Sequence, residues 1–231
     1  MDPITPENAS LRWQEDGTPL STRFDDPYFS SEGGLEETRH VFLAGNTLPQ
    51  RFKPGFHIAE LGFGTGLNAL AAWQAWQESG QAGALHYTSF EAYPLNLPDM
   101  ARAAAHWPSL TRLSEPLLAQ WPPQGLISLP GLQLNIIIGD ARAALPAWQG
   151  KADAWFLDGF SPSKNPELWA PEILAEVGNH TAREGTFSTY TAAGHVRRAL
   201  DAAGFSVQRV KGFGRKRHMS VGILSADAKM C

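Results

Sequence analysis

The chain has 231 residues, enough for one sizeable hydrophobic core and too few for two domains of ordinary size. With 43% apolar and 18% charged residues it reads as globular, and 22 glycines and 17 prolines without any period exclude a fibrous or low-complexity chain. A formal net charge of −4 argues against a protein that coats nucleic acid over its whole surface and leaves room for a local basic patch.

Residues 1–54 are irregular, punctuated by Pro3, Pro6, Pro19, Pro27, Pro49 and Pro54, and read as a folded extension packed on a core formed by residues 55–231. In that core FHIAEL predicts a buried strand, and LNALAAWQAWQESG a helix that leaves at Gly80. HYTSFE predicts the next strand, followed by helices from Asp99 to Trp107 and from Leu110 to Gln120. LISLPGLQLNIIIGD suggests a hairpin around Pro130-Gly131 feeding a strand that ends at Asp140. ADAWFLD is a further strand, followed by a Pro- and Gly-shaped loop, a helix near Pro166 to Gly178, and the strand GTFSTY. A helix from His195 to Ala203, closed by Gly204, precedes two last strands, FSVQRV and MSVGILS. Alternating strands and helices imply a mostly parallel sheet covered on both faces, here seven-stranded, and the last two strands, joined without a helix, imply an antiparallel C-terminal hairpin. This α/β outline resembles the Rossmann-like class I methyltransferases.

Between the first strand and its helix lies Glu60-Leu-Gly-Phe-Gly-Thr-Gly66. Gly62, Phe63, Gly64, Thr65 and Gly66, with Asn68 in the following turn, place backbone N–H groups and a helix N-terminus where a ligand can approach closely. A dinucleotide fingerprint begun at Gly62 needs Gly or Ala at position 67, which is Leu67. Glu60 would also repel a pyrophosphate, whereas it can accept a hydrogen bond from an amino group. Glu91 ends the next strand, about 25 residues past the last glycine, where a carboxylate receives ribose hydroxyls. Asp140, ending the third parallel strand, is placed to meet an adenine amino group. A ligand with an amino-acid end, a ribose and an adenine but no phosphate is S-adenosylmethionine.

After ADAWFLD comes Asp158-Gly-Phe-Ser-Pro-Ser-Lys-Asn-Pro166, a carboxylate leaving the fourth strand beside a tight loop. Its position resembles that of the Asp/Asn-Pro-Pro-aromatic loop of amine-directed methyltransferases. An alkylamine with a pKa of about 10 is protonated at neutral pH, and Asp158 can orient it and accept its proton, while also facing the donor's sulfonium. Lys164 and Asn165, with Ser161 and Ser163, offer cation and hydrogen-bonding groups to a substrate.

Together, FDDPYFS with GLEETRHVFL, ELGFGTGLN, SFEAYP, DAWFLDGFSPSKNPELW and KGFGRKR resemble the methyltransferase part of the bacterial bifunctional enzymes that finish 5-methylaminomethyl-2-thiouridine at the tRNA wobble position. The resemblance runs from about Leu11 to Leu224. It implies methylation of the exocyclic amine of 5-aminomethyl-2-thiouridine, with S-adenosylmethionine as donor and the tRNA anticodon stem-loop as partner. Those enzymes commonly carry a flavin-dependent oxidase that first removes a carboxymethyl group, and the residues after Leu224 are too few to form it. The chain is then a stand-alone methyltransferase or an excised domain, with its amine substrate supplied by a separate oxidase or another source.

Arg197, Arg198, Lys211, Arg215, Lys216 and Arg217 form the densest positive cluster and are the expected phosphate contacts. Phe24, Tyr28, Phe29 and Trp169 are the expected base-stacking side chains, whereas Trp73, Trp76, Trp107, Trp148 and Trp155 read as core. The one cysteine, Cys231, excludes an internal disulfide, and the seven histidines lack ligand spacing, so no metal is assigned. No apolar run reaches the ~18 residues of a membrane span, and a cytoplasmic protein is expected. An aminopropyltransferase has the same sheet and strand-end carboxylate, but it needs a pocket acidic throughout, which Lys164 and the Arg/Lys loop oppose. A non-catalytic RNA-binding subunit of the same fold is the reading from another class, and the intact glycines and Asp158 oppose that one.

Overall fold

The computed structural model describes residues 8–123 and 125–225; Cys231 lies outside them. The chain opens with an antiparallel ribbon, β1 (Leu11–Trp13) against β2 (Pro19–Ser21), and then a short helix α1 (Gly34–Thr38) that runs on through a π turn at Arg39–Leu43 and a 3-10 turn at Ala44–Asn46. The core follows as β3 (His57–Leu61), α2 (Leu67–Ser79), β4 (Leu85–Glu91), α3 (Leu97–Ala104), α4 (Thr111–Leu118), β5 (Leu126–Leu129), β6 (Leu132–Ile138) and α5 (Ala141–Ala147). It continues as β7 (Ala152–Leu157), α6 (Pro171–Asn179), β8 (Thr181–Thr189), α7 (Gly194–Ala202), β9 (Phe205–Lys211) and β10 (His218–Leu224).

One sheet holds β5-β6-β4-β3-β7-β8-β10-β9 in that order. Strands β6, β4, β3, β7 and β8 are parallel, while β10 is antiparallel to both of its neighbours. The sheet has eight strands because the first arm of the hairpin at Pro130-Gly131 pairs as an antiparallel edge, β5. Its terminal hairpin is antiparallel, as expected, with β10 inserted between β8 and β9.

Central strands form where apolar residues run without alternation, because both faces of a parallel sheet are covered. Trp155 and Phe156 are both fully buried and point to opposite faces, one into each of the two hydrophobic clusters. Truncating Trp155 to Ala would cost about 3–5 kcal/mol. On Phe156's side α2 is buried over most of its circumference, from Leu67 to Trp73. Residues 35–52 cover the rest of that face through Leu35, Val41, Phe42, Leu43, Leu48 and Phe52, so this stretch is helical and packed rather than irregular. It is pinned by Asn46, whose Nδ2 donates to the Phe42 and Trp155 carbonyls at 3.0 and 3.3 Å.

The helix expected near Pro166 to Gly178 divides in two. Ala170, preceding Pro171, is held extended (ψ 146°), so a 3-10 turn at Pro166–Trp169 ends there and α6 restarts with Pro171 at its first position.

Candidate active site

The parallel strands β3, β4, β6 and β7 end on one edge of the sheet, and the loops leaving them line a cavity of about 1170 Å³. Residues 18–37 form its roof. This volume exceeds that of the usual single-ligand pocket and has room for two small reactants side by side.

At the glycine turn the backbone geometry is what the residue types allow. Gly62 has φ +90°, and a Cβ there would sit 2.5 Å from the Asp158 carbonyl oxygen, so this glycine lets the ends of β3 and β7 meet. Gly64 (φ +53°) faces the cavity, and its N–H donates to Glu91 Oε2 at 3.0 Å. Gly66 caps α2 in the left-handed conformation. Phe63 is buried, its ring stacked on Trp121 (centroids 5.5 Å, 12°), and Thr65 lines the cavity from a buried position.

Asn68 is the hub of the polar floor. Its Nδ2 donates to Glu60 Oε1 at 2.9 Å and to Asp158 Oδ2 at 2.6 Å, while its Oδ1 accepts from the Thr38 hydroxyl at 2.9 Å. Ser89, directly opposite Glu60 across β3 and β4, donates to Glu60 Oε2 at 2.7 Å. Glu60 is therefore fully buried behind the cavity wall and addresses a ligand only through Asn68. Burial raises its pKa to about 8, against the Asn68 and Ser89 hydrogen bonds, with Asp158 adding to the rise. Asp158 lines the cavity, and burial raises its pKa to about 7; the Asn68 hydrogen bond opposes this, Glu37 of the roof adds to the rise and Lys216 of the β9–β10 loop opposes it.

Glu91 holds two backbone N–H groups, Gly64 on Oε2 and Tyr93 on Oε1 at 2.8 Å, and keeps lone pairs for hydroxyl donors. Burial raises its pKa. Asp140 caps α5 through Arg142 N–H at 2.9 Å, and Arg142 Nε lies 2.9 and 3.0 Å from its two oxygens, which holds its pKa low. Its acceptor capacity toward an adenine is thus shared with Arg142, which also lines the cavity.

Several expected substrate contacts have partners inside the protein. Lys164 Nζ donates to the Asp25 carbonyl and lies 3.5 and 3.7 Å from the Asp25 and Asp26 carboxylates, so it ties the post-β7 loop to the roof. Asp26 Oδ2 accepts from Ser161 N–H at 2.8 Å. Phe24 stacks on Phe160 (4.8 Å, 28°), and Tyr28 meets the same ring edge-on; both line the cavity, as does Asn165. Phe29 reaches the cavity and also packs on Trp107 at 4.8 Å. Trp169 is buried, its Nε1 donating to the Phe160 carbonyl at 2.8 Å, and is a core residue and not a stacking platform. Arg215 pairs with Glu32 at 3.0 Å and Lys216 with Glu37 at 2.8 Å, whereas Lys211, Arg198 and Arg217 are exposed and Arg197 is half-buried.

Among the cavity residues not assigned from the sequence are Arg142, Tyr190 and Glu37. Tyr190 follows β8 at the carboxyl edge, its hydroxyl donating to the Gly159 carbonyl at 2.7 Å under Lys216 Nζ, 4.4 Å from the ring centroid. Its place just after a parallel strand was the available signal. Glu37 had none, since α1 shows no period long enough to be read.

The carboxylates gathered at the glycine turn fit a ligand with hydroxyl and cationic groups and a backbone approach at Gly64. A mostly parallel sheet with this turn after its first core strand and a carboxylate after its fourth defines a Rossmann-like methyltransferase. Residues 108–225 match the family model described as S-adenosyl-L-methionine-dependent methyltransferase, and the chain belongs to that family. It is 48% identical over 225 residues to the tRNA 5-methylaminomethyl-2-thiouridine biosynthesis bifunctional protein MnmC of Methylobacillus flagellatus, covering 93% of this chain and 35% of that protein. The protein of the same name from Pseudomonas paraeruginosa is 47% identical over 232 residues, covering 94% and 35%. The chain thus spans about a third of the length of these relatives. Among solved structures, MnmC2 from Aquifex aeolicus superposes with a TM-score of 0.74 at 27% identity, covering 96% of this chain and 72% of that one. Among the described residues no helix is long and apolar enough to cross a membrane.

Proposed function

We propose that the chain methylates the exocyclic amine of 5-aminomethyl-2-thiouridine at the tRNA wobble position, giving 5-methylaminomethyl-2-thiouridine. The observation that carries the reading is the Asp158 carboxylate, fixed by Asn68 on the wall of a cavity large enough for a donor and a nucleoside. The names of the MnmC relatives supply the substrate.

Bound S-adenosylmethionine supplies an electrophilic methyl group on a cationic sulfonium. The N–H groups of the first turn of α2 would receive its amino-acid end, Glu91 the ribose, and Asp140 with Arg142 the adenine edge. Asp158 would hold the substrate ammonium and take its proton, freeing the nitrogen lone pair to attack the methyl carbon as the S–CH3 bond breaks and the donor leaves as a neutral thioether. Much of the rate would come from this positioning. Phe24 and Tyr28 give the nucleobase apolar ring surface, and a base turned out of the anticodon loop reaches the site at lower cost than one in a duplex. The reaction belongs in the cytoplasm, beside a separate oxidase or another source of the aminomethyl precursor.

The test is incubation of undermodified tRNA with the protein and donor, followed by mass analysis of wobble nucleosides. A gain of one methyl on the aminomethyl nucleoside is expected. Donor binding without any methylated tRNA would sink the substrate assignment and leave the family untouched.

A further inference from the structure

The cations near the C-terminus fall into two sets. Arg215 and Lys216 are matched by Glu32 and Glu37, acids of the roof, and Gly214 between the hairpin strands lies close enough for an added Cβ to sit 3.6 Å from Glu32 Oε2. These two side chains tie the β9–β10 loop to the segment running into α1, and their charge is already answered.

The second set gathers about the end of β9, the residue before β10, and α7. In the β9–β10 ladder Lys211 is opposite His218 and Arg209 is opposite Ser220, so these four side chains share one face of the sheet. Phe205 and Val207, four and two positions before Arg209, share it too and pack beneath α7 with Val196 and Leu200. Where the α7 cover ends, β9 carries exposed Arg209 and Lys211, and Arg217 is exposed at the start of β10. Arg197 on α7 is held from behind, its Nε donating to the Ala192 carbonyl at 3.3 Å. Arg209, Arg217 and Arg197 all lie near enough to His218 to depress its pKa, after desolvation. Among the described residues none of Arg197, Arg209, Lys211 and Arg217 has a carboxylate ion-pair partner. β9 runs parallel to β8, so this cluster sits on the carboxyl edge, and the loop it flanks carries Lys216 to the cavity.

Like charges gathered without an ion pair among the described residues, in a protein of net −4, repel one another, and a polyanion is the partner that relieves it. We propose that the phosphate backbone of the RNA substrate docks on Arg197, Arg209 and Lys211, on the α7 face of the terminal hairpin, and on exposed Arg217 beside it, and that Arg215 and Lys216 act as latches to the roof and make no phosphate contact. This rests on the tRNA reading above and narrows it to one surface; Arg209 was absent from the basic cluster read in the sequence.

The experiment is tRNA affinity measured against salt for the wild type, Arg209→Ala/Arg217→Ala and Arg215→Ala, with calorimetric donor affinity as the check on folding. Each lost phosphate contact lowers the slope of log K on log salt by about 0.7–0.9, so the double variant should lose roughly 1.5 from the slope and at least ~10-fold in affinity. Arg215→Ala should keep the wild-type slope. A double variant that keeps both slope and affinity while donor binding is normal overturns the surface and leaves the tRNA reading standing. A slope loss confined to Arg215→Ala reverses the division of roles. A wild type that binds no tRNA, with or without donor, overturns the surface together with the tRNA reading.

Discussion

Asn68 Nδ2 donates to Asp158 Oδ2 at 2.6 Å, and the same nitrogen donates to the fully buried Glu60. One neutral amide thereby holds two carboxylates from strands β3 and β7 at a fixed separation, and its own orientation is set by the Thr38 hydroxyl on Oδ1. The carboxylate presented to the cavity is thus positioned from behind, by residues from α1 and α2. Asn68→Ala should free the Asp158 side chain and strip a donor from buried Glu60. Methyl transfer is expected to fall by about 10-fold or more and stability by about 1–3 kcal/mol. Steady-state kinetics with wild-type melting behaviour would show that Asn68 positions nothing.

Asp158→Asn keeps the shape of that contact and removes the charge and the proton acceptor. Turnover should drop by about 10²-fold or more, with a modest change in donor affinity. Near-normal turnover at neutral pH would mean that solvent handles the proton and that Asp158 only shapes the loop.

The raised pKa of Asp158, about 7 in the folded protein against an ordinary 3.8, fixes two signs. Binding a cation needs the ionised form, so kcat/KM for the amine should show a rising limb near pH 7 that is missing in Asp158→Asn, over the amine's own rise at higher pH. Between about pH 4 and 7 the donor-free folded state keeps a proton that the unfolded chain has lost, so stability falls as pH rises through that window. Asp158→Asn should therefore melt higher than wild type at pH 8 without donor and lose that advantage at pH 4. Equal melting differences at both pH values would show that the carboxyl group titrates normally.

The site was legible where local pattern carries it. Apolar runs cut by glycine locate strand ends, and strand ends locate Glu91, Asp140 and Asp158 on one edge. Glu60 was misjudged in direction although the signal was present. It has the parity of Ile58 and not of Ala59 and Leu61, so it points to the α2 face and to Asn68. The roof was not legible, because its ties join residues far apart in sequence, Asp26 to Ser161, Asp25 to Lys164, Glu32 to Arg215 and Glu37 to Lys216. A cation read in isolation counts as a free phosphate contact, and only the fold shows which ones are already paired.

Gly62 and Gly64 make separable predictions. An alanine Cβ at position 62 meets the Asp158 carbonyl at 2.5 Å in a left-handed backbone, and backbone cannot step aside as a side chain does. Gly62→Ala should cost about 2 kcal/mol or more in stability and lose donor binding with it. At Gly64 the nearest atom is the Tyr28 ring at 3.4 Å, an ordinary contact across the cavity. A valine at φ +53° costs about 1–3 kcal/mol of backbone strain, but its Cβ meets no backbone atom. Gly64→Val should therefore remain folded, though less stable, and lose donor binding, because the new side chain fills the approach. Calorimetric titration of a folded Gly64→Val protein showing unchanged donor affinity would remove the glycine turn as the donor site.

The roof over the cavity is held to the post-β7 loop chiefly by Asp26, whose Oδ2 accepts from Ser161 N–H at 2.8 Å while Lys164 lies 3.7 Å from Oδ1. The Lys164 pairs are partly exposed and worth at most about 1 kcal/mol each, whereas the hydrogen bond from a backbone N–H to a half-buried carboxylate is the firmer tie. Phe24 rides on the same segment and stacks on Phe160, next to Ser161, so releasing Asp26 loosens the aromatic side of the cavity as well. Asp26→Ala should thus speed donor dissociation by about 10-fold while changing global stability by only about 1 kcal/mol, and Lys164→Ala should do the same more weakly. Stopped-flow displacement of bound donor separates these effects from folding. Identical off-rates in wild type and Asp26→Ala would show that the roof opens elsewhere and that this contact does not limit ligand exit.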